Sequence, residues 1–315
     1  MAPGRLERLE QLLRARLGNF VPAGNRYLLD KGWSRKVGSF IIKPLPCDNQ
    51  TIRKEVREYV RRTFFKEAVV PSSLELWKSD ESADALFEKE MDLYLDSGIS
   101  YVIRYEKTEK LMGCYLNCYW PRDPNYNVIR GFDMNEWHRV SAKIAMDVCP
   151  ERPEPLWRDL QYQHLYNECQ IILGENKKDF GVYLGPANIE PEARGLHIPE
   201  KVVIDLGKLS QLYNGIWMTL PTVEALRFRK ANTKYGKEVG YISYEEQVLA
   251  TSDGRMVFGG LAEKGGISLI VSDLTKFPLL LQYVIAAFQA LMKMSIGHPL
   301  IKYIAFFVFR VSKGK

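Results

Sequence analysis

The stretch Ile189-Glu190-Pro191-Glu192-Ala193-Arg194-Gly195-Leu196-His197-Ile198 joins an apolar segment, Phe180 to Ala187, to a sequence that reads as a helix from Pro199 to Tyr213. A strand that runs into an Arg-Gly turn and then opens a helix is a geometry suited to phosphate. The first N–H groups of a helix have no partner inside it and carry the positive end of its dipole, so an anionic diphosphate can occupy them. Gly195 lets the backbone approach such a ligand closely. Strand–glycine–helix junctions are common and most hold no ligand, so the flanking pattern decides what this one means.

Toward the N-terminus, Val37 to Lys43 is strand-like and is closed by Pro44 and Pro46. Asp48 or Asn49 then caps a helix to about Phe65, in which Ile52, Val56, Tyr59, Val60 and Phe64 recur at helical spacing. Ser82 to Leu95 is a second helix, ended by Gly98. Ser100 to Glu106 and Leu111 to Trp120 read as a hairpin turning at Thr108 to Lys110, and Met134 to Val148 and Pro155 to Gly174 read as helices. Beyond the junction come a strand at Ile216 to Leu220, a helix from Val223 to about Tyr235, and strands at Val239 to Glu245 and Ile267 to Val271. This order implies an α/β fold with a mixed central sheet flanked by helices.

Composition agrees with a folded core: 46% of the 315 residues are hydrophobic and 26% charged. The 44 Lys and Arg against 38 Asp and Glu leave a charge of +6 with the signs interspersed, so nothing points to a nucleic-acid partner. Cys47, Cys114, Cys118, Cys149 and Cys169 are odd in number and scattered, which fits free thiols in a reducing, cytoplasmic setting and no metal site.

Both ends stand outside the strand–helix pattern. Leu6, Leu9, Leu12, Leu13 and Leu17 form one face of a short amphipathic helix, and Glu7 and Glu10 on its other face fit neither a secretory signal nor a mitochondrial presequence. Residues 277–309 are mostly apolar but broken at Gly297 and Pro299 into two segments, each short of the roughly 20 residues a membrane span needs. Gln282 and Gln289, seven apart, fall on one helical face, so this segment reads as a helix packed on the domain or lying on a membrane surface. The expected division is an amphipathic helical extension over residues 1–36, a central domain over 37–275 and a hydrophobic extension over 276–315.

The frame Ile189-x-Pro191-Glu192-x-Arg194-Gly195-x-x-Ile198 resembles the V-x-P-E-x-R-G-x-G-I stretch of GNAT N-acetyltransferases. That resemblance implies a GNAT fold with extra N- and C-terminal helices, and acetyl-CoA as the acetyl donor. Its pantetheine arm would lie along the backbone at Asn188 and Ile189, and its diphosphate against Arg194, Gly195, Leu196, His197, Ile198 and Pro199. Two positions depart from the pattern, since the family has Gly where His197 stands and Gly or Ala where Pro199 stands. A proline there removes one amide donor yet suits a first helical turn. Three further stretches, Arg62 to Glu67, Lys110 to Asn117 and Asp253 to Phe258, resemble in their shared order the invertebrate arylalkylamine N-acetyltransferases of the dopamine type. The resemblance spans about residues 37–275.

Acetyl transfer to an amine needs a base to take a proton from the ammonium and an acid to protonate the departing thiolate. The resemblance implies a glutamate base in a Lys-Asp-Glu run, but here the run is Lys66-Glu67-Ala68, which leaves Glu67 as the candidate beside His197, an imidazole that titrates near neutrality. Tyr235, five residues before Gly240-Tyr241, is the candidate acid; with Gly236 as the marker instead, Asn232 would take that place. The sequence therefore supports an acetyl-CoA-dependent acyltransferase acting on a small-molecule amine, with an arylalkylamine suggested by the aromatics between Tyr115 and Tyr166. The alternative is a catalytically inactive GNAT-fold binding protein associated with a membrane surface through residues 277–309.

Overall fold

Strand formation begins at Arg35, in a computed structural model that describes residues 4–17, 34–196, 198, 202, 214–219, 237–244 and 265–272. These residues belong to one unit of the chain. The helices expected at Pro199–Tyr213 and Val223–Tyr235, and the apolar segment 277–309, lie outside them.

Where a single strand is expected from Val37 to Lys43, the chain forms a hairpin, β1 (Arg35–Val37) and β2 (Phe40–Pro44), with Val37 opposite Phe40. Gly38, at φ 59°, supplies the left-handed residue of this two-residue turn. α2 (Gln50–Arg62) starts where the cap is expected: Asn49 Oδ1 accepts from Ile52 N at 3.1 Å. The same helix does not run on to Phe65. Thr63 breaks it, its hydroxyl donating back to Tyr59 O at 2.7 Å, and two short helices follow, α3 (Phe64–Glu67) and α4 (Val69–Ser73). α5 (Glu81–Leu95), capped by Asp80, leads to Gly98 at φ 68° and into β3 (Tyr101–Tyr105) and β4 (Leu111–Pro121).

α6 (Met134–Val148) opens on a reciprocal cap in which Asp133 Oδ1 accepts from Glu136 N and Glu136 Oε2 from Asp133 N. α7 (Pro153–Glu175) follows, with prolines in the first turn where their missing N–H costs nothing. The chain re-enters the sheet as β5 (Phe180–Ile189), β6 (Gly215–Thr219), β7 (Lys237–Ser243) and β8 (Gly266–Ser272). The sheet order is β1-β2-β3-β4-β5-β6-β8-β7. Among the described residues every pairing is antiparallel except β5 with β6.

Helices α2 and α5 pack on β4, α3 and α7 on β5, and α6 against β7. A second apolar cluster joins α1 (Arg5–Arg14) to α6 and α7: Leu9 and Leu13 are sealed against Trp137, Val140, Ile144 and Leu160. Burying two leucines this way contributes roughly 1.5–3 kcal/mol each. Lys143 to Glu10, at 2.7 Å, and Arg14 to Asp147, at 2.5 Å, fix the orientation at the rim. The amphipathic helix expected at the N-terminus is thus a docked one. Among the described residues no helix is long and apolar enough to cross a membrane.

Candidate functional site at the end of strand β5

β5 and β6 run parallel from Phe180 opposite Gly215 to Leu184 opposite Thr219. β5 then continues to Ile189, paired among the described residues with β4, where Ala187, Asn188 and Ile189 face Tyr115, Cys114 and Gly113. The ladder shifts between Tyr115 and Asn117, so β5 carries extra length around Gly185 and Pro186. From Gly185 onward the far edge of β5 has no strand beside it among the described residues. Backbone N–H groups alternate in direction along a strand. Glu190 donates to Met112 O on β4 at 2.8 Å, so Ile189 N–H points to the edge away from β4.

Both open-edge groups of Ile189 have partners from its own neighbourhood. Asn188 Oδ1 accepts from Ile189 N at 2.8 Å, and Arg194 Nε donates to Ile189 O at 2.8 Å. The 3-10 turn Pro191–Ala193 brings Arg194 back to that carbonyl, with Ala193 buried beneath it. Gly195 sits at φ 77° with open space where a Cβ would stand, so the backbone conformation rather than crowding requires glycine there. Leu196 is half-buried and Ile198 buried. Glu190 is tied at 3.2 Å to Arg62, whose guanidinium also lies over the Tyr59 ring.

Of the residues expected here, the structure brings Asn188, Ile189, Arg194 and Gly195 to one corner, with Leu196 and Ile198 continuing from it. Glu67 ends α3, which rests on β5, and its side chain is exposed while Phe65 of the same turn is buried. His197, Pro199 and Tyr235 lie outside the described residues.

Sequence reading misses a buried polar chain beside Gly185. Glu90 on α5 and Arg158 on α7 form a buried ion pair, Oε1 to Nε, at 3.2 Å. Glu90 Oε2 accepts from Tyr162 Oη at 2.9 Å, and Tyr162 Oη lies 2.5 Å from Tyr94 Oη. Arg158 Nη2 also donates to Tyr162 Oη, at 3.3 Å. The Tyr94 ring lies against Gly185, where a Cβ would stand 2.7 Å from its oxygen. Burial pushes the Glu90 carboxyl above its ordinary range, against the pull of Arg158, and raises both tyrosines. The sequence does carry one signal: Glu90 interrupts the apolar face that includes Leu86, Phe87 and Tyr94, and both Glu90–Tyr94 and Arg158–Tyr162 are spaced four apart.

No protein-family sequence model matches the chain, and no curated protein sequence does. Among solved structures it is similar to arylalkylamine N-acetyltransferase 2 from Aedes aegypti, with a TM-score of 0.54 at 14% identity over 75% of this chain and 99% of that one. It is also similar to an agmatine N-acetyltransferase, with a TM-score of 0.51 at 8% identity over 74% of this chain and 98% of that one. The mixed sheet with flanking helices has the GNAT fold.

Proposed function

We propose that this chain is an acetyl-CoA-dependent N-acetyltransferase acting on a small primary amine, an arylalkylamine in particular. The observation that carries the reading is that β5 runs on past Leu184, its last described pair with β6, into the Arg194-Gly195 turn. The backbone of a strand presents N–H and C=O groups in alternation, as a diamide arm requires. The exposed Arg194 stands where a diphosphate would need a cation. The two solved relatives with this fold act, by their names, on an arylalkylamine and on agmatine, both amines.

The residues at this corner fit the donor, because the groups covering Ile189 are side-chain tips that can swing away. Asn188 and Ile189 would hold the pantetheine arm, and Arg194 would exchange a carbonyl for phosphate oxygens. The donor would supply an activated thioester. Glu67 and His197 remain the proposed surface bases and Tyr235 the proposed acid, with Ile198 and Pro199 completing the phosphate turn.

One observation favours a second reading, a catalytically inactive binding protein of this fold. Ile189 already has both open-edge partners within the chain, and Ala68 follows Glu67 where the family pattern has glutamate. On either reading a cytoplasmic protein is proposed, with residues 277–309, whose two apolar segments are each too short to span, either packed on the domain or lying on a membrane surface.

Calorimetry with acetyl-CoA, followed by thiol release with dopamine, tryptamine and agmatine, separates these. Binding with turnover is expected. Absence of binding, or binding without thiol release from any amine, would establish the inactive reading. Membrane attachment is checked by fractionating cells that express the chain with and without residues 277–315.

A further inference from the structure

We propose that α1 is an acid-released strap, lying over a buried histidine that takes a proton only when the helix lifts. His164 on α7 is 1% exposed, and neither of its ring nitrogens has a hydrogen-bond partner among the described residues. A neutral imidazole carries one N–H donor and one acceptor, so both are left unmet. Unmet polar groups work against the docked state, and an apolar side chain would fill the same space better. Water satisfies both nitrogens as soon as the site opens, so the penalty belongs to the docked state alone.

The way in is through α1. The His164 ring lies 4.7 Å from the Trp137 ring and one helical turn beyond Leu160, and Trp137 and Leu160 are among the residues that Leu9 and Leu13 seal. Gln163, next to His164, donates at 3.4 Å to Arg16 O, just past the end of the same helix. By contrast, α6 and α7 are tied to each other by two buried indole N–H donations, Trp137 to Leu160 O at 3.3 Å and Trp157 to His138 O at 3.4 Å. With 10 residues against 15 in α6 and 23 in α7, α1 is the helix of the three that lifts most readily.

The groups around His164 oppose its charging in place. From α6 come His138, with its ring 5.8 Å away, and the capping Asp133; Arg158 on α7 acts on His138, and α1 brings the leucines. Burial holds the His164 imidazole down at about 3, outweighing the pull of Asp133. In water the ring returns to about 6.5. Between these values the lifted state binds a proton that the docked state refuses. Docking is therefore at full strength above about pH 6.5 and weakens by up to about tenfold per pH unit below it. Lys143, with Arg14, holds the Glu10 carboxyl below its ordinary range, so that pairing at the rim persists down to about pH 5.

The test is hydrogen exchange read by mass spectrometry on the full chain at pH 5 and pH 7, with amide rates corrected for the intrinsic effect of pH. Opening of the α1 amides should rise about twenty-fivefold from pH 7 to pH 5, while amides in the middle of α6 and α7 stay protected. His164→Leu should bring that ratio to about one. Leu13→Ala should speed α1 exchange at both pH values and keep the ratio, because it weakens docking without touching the proton. A wild-type ratio within about twofold of one would overturn the strap, as would a ratio unchanged in His164→Leu. Opening of α6 and α7 in parallel with α1 would overturn it too, since the event would then be global unfolding.

Discussion

Arg194 Nε donates to the carbonyl of Ile189, five residues earlier, at 2.8 Å, so the one cation of the turn is spent on the strand edge that the turn follows. Asn188 covers the other group of the same residue. A ligand laid along this edge must displace both, and the two displacements differ in sign.

Asn188→Ala removes a competitor for Ile189 N–H and nothing the donor needs. It should tighten acetyl-CoA binding by about two- to tenfold, the value of one net hydrogen bond of about 0.5–1.5 kcal/mol. Arg194→Ala frees the carbonyl but loses the charge, and a charge-assisted contact at about 1.5–3 kcal/mol outweighs the gain. Calorimetry at two salt concentrations should show weaker and less salt-dependent binding for Arg194→Ala. Tightening in that variant would mean that Arg194 acts only as a cover.

Thiol chemistry should divide the five cysteines. Cys114, Cys118 and Cys169 are buried, and burial pushes the Cys114 thiol up to about 12 and raises the other two as well. Cys47 and Cys149 are partly exposed. A chromogenic disulfide at pH 8 should label those two first and the remaining three only on unfolding, as peptide mapping would show.

Two histidines should make the fold sensitive to acid. Burial pushes His164 down to about 3 and His138 well below its ordinary value. Their folded values lie below the unfolded value of about 6.5, so at intermediate pH the unfolded chain binds protons that the native state refuses. Stability is present above about pH 6.5 and falls below it, by up to about 1.4 kcal/mol per pH unit for each histidine. His164 also has both ring nitrogens buried without a hydrogen-bond partner. His164→Leu should therefore stabilise the fold by about 1–3 kcal/mol at pH 7 and by more at pH 5. Urea unfolding at both values checks this, and a gap that does not widen at pH 5 would show that His164 is not the sensitive group.

Gly185→Ala tests the packing of Tyr94 against β5. The added methyl would stand 2.6 Å from Tyr94 Cζ, and the hydrogen bond to Tyr162 prevents that ring from retreating. A loss of about 1–3 kcal/mol is expected, and Tyr94→Leu in the same chain should restore part of it. An unchanged melting temperature for Gly185→Ala would show that the ring can move.

Elements with a strong period are legible in the sequence, and those set by a single turn are not. Met134–Val148 coincides with α6, and the Leu111–Trp120 strand differs from β4 by one residue, because long apolar runs between caps leave little choice. The β1–β2 hairpin escapes because Ser39 can sit in a strand and only Gly38 marks the turn. The break at Thr63 escapes because Phe64 and Phe65 continue the apolar period past it, and only the hydroxyl bond to Tyr59 O shows that the helix has ended. The Arg194-Gly195 corner is legible because its parts are adjacent in the chain. The Glu90 cluster is not: Tyr94 and Tyr162 are 68 residues apart, and no local rule connects them.

The ion pair between α5 and α7 also acts on how the two helices align. Sliding α7 by one turn, about 5.4 Å, would leave Glu90 and Arg158 facing apolar neighbours with neither charge compensated. A leucine interface tolerates such slippage at small cost; two sealed opposite charges do not. The pair therefore admits one alignment of α5 against α7, and in doing so sets the height of Tyr94 above the sheet.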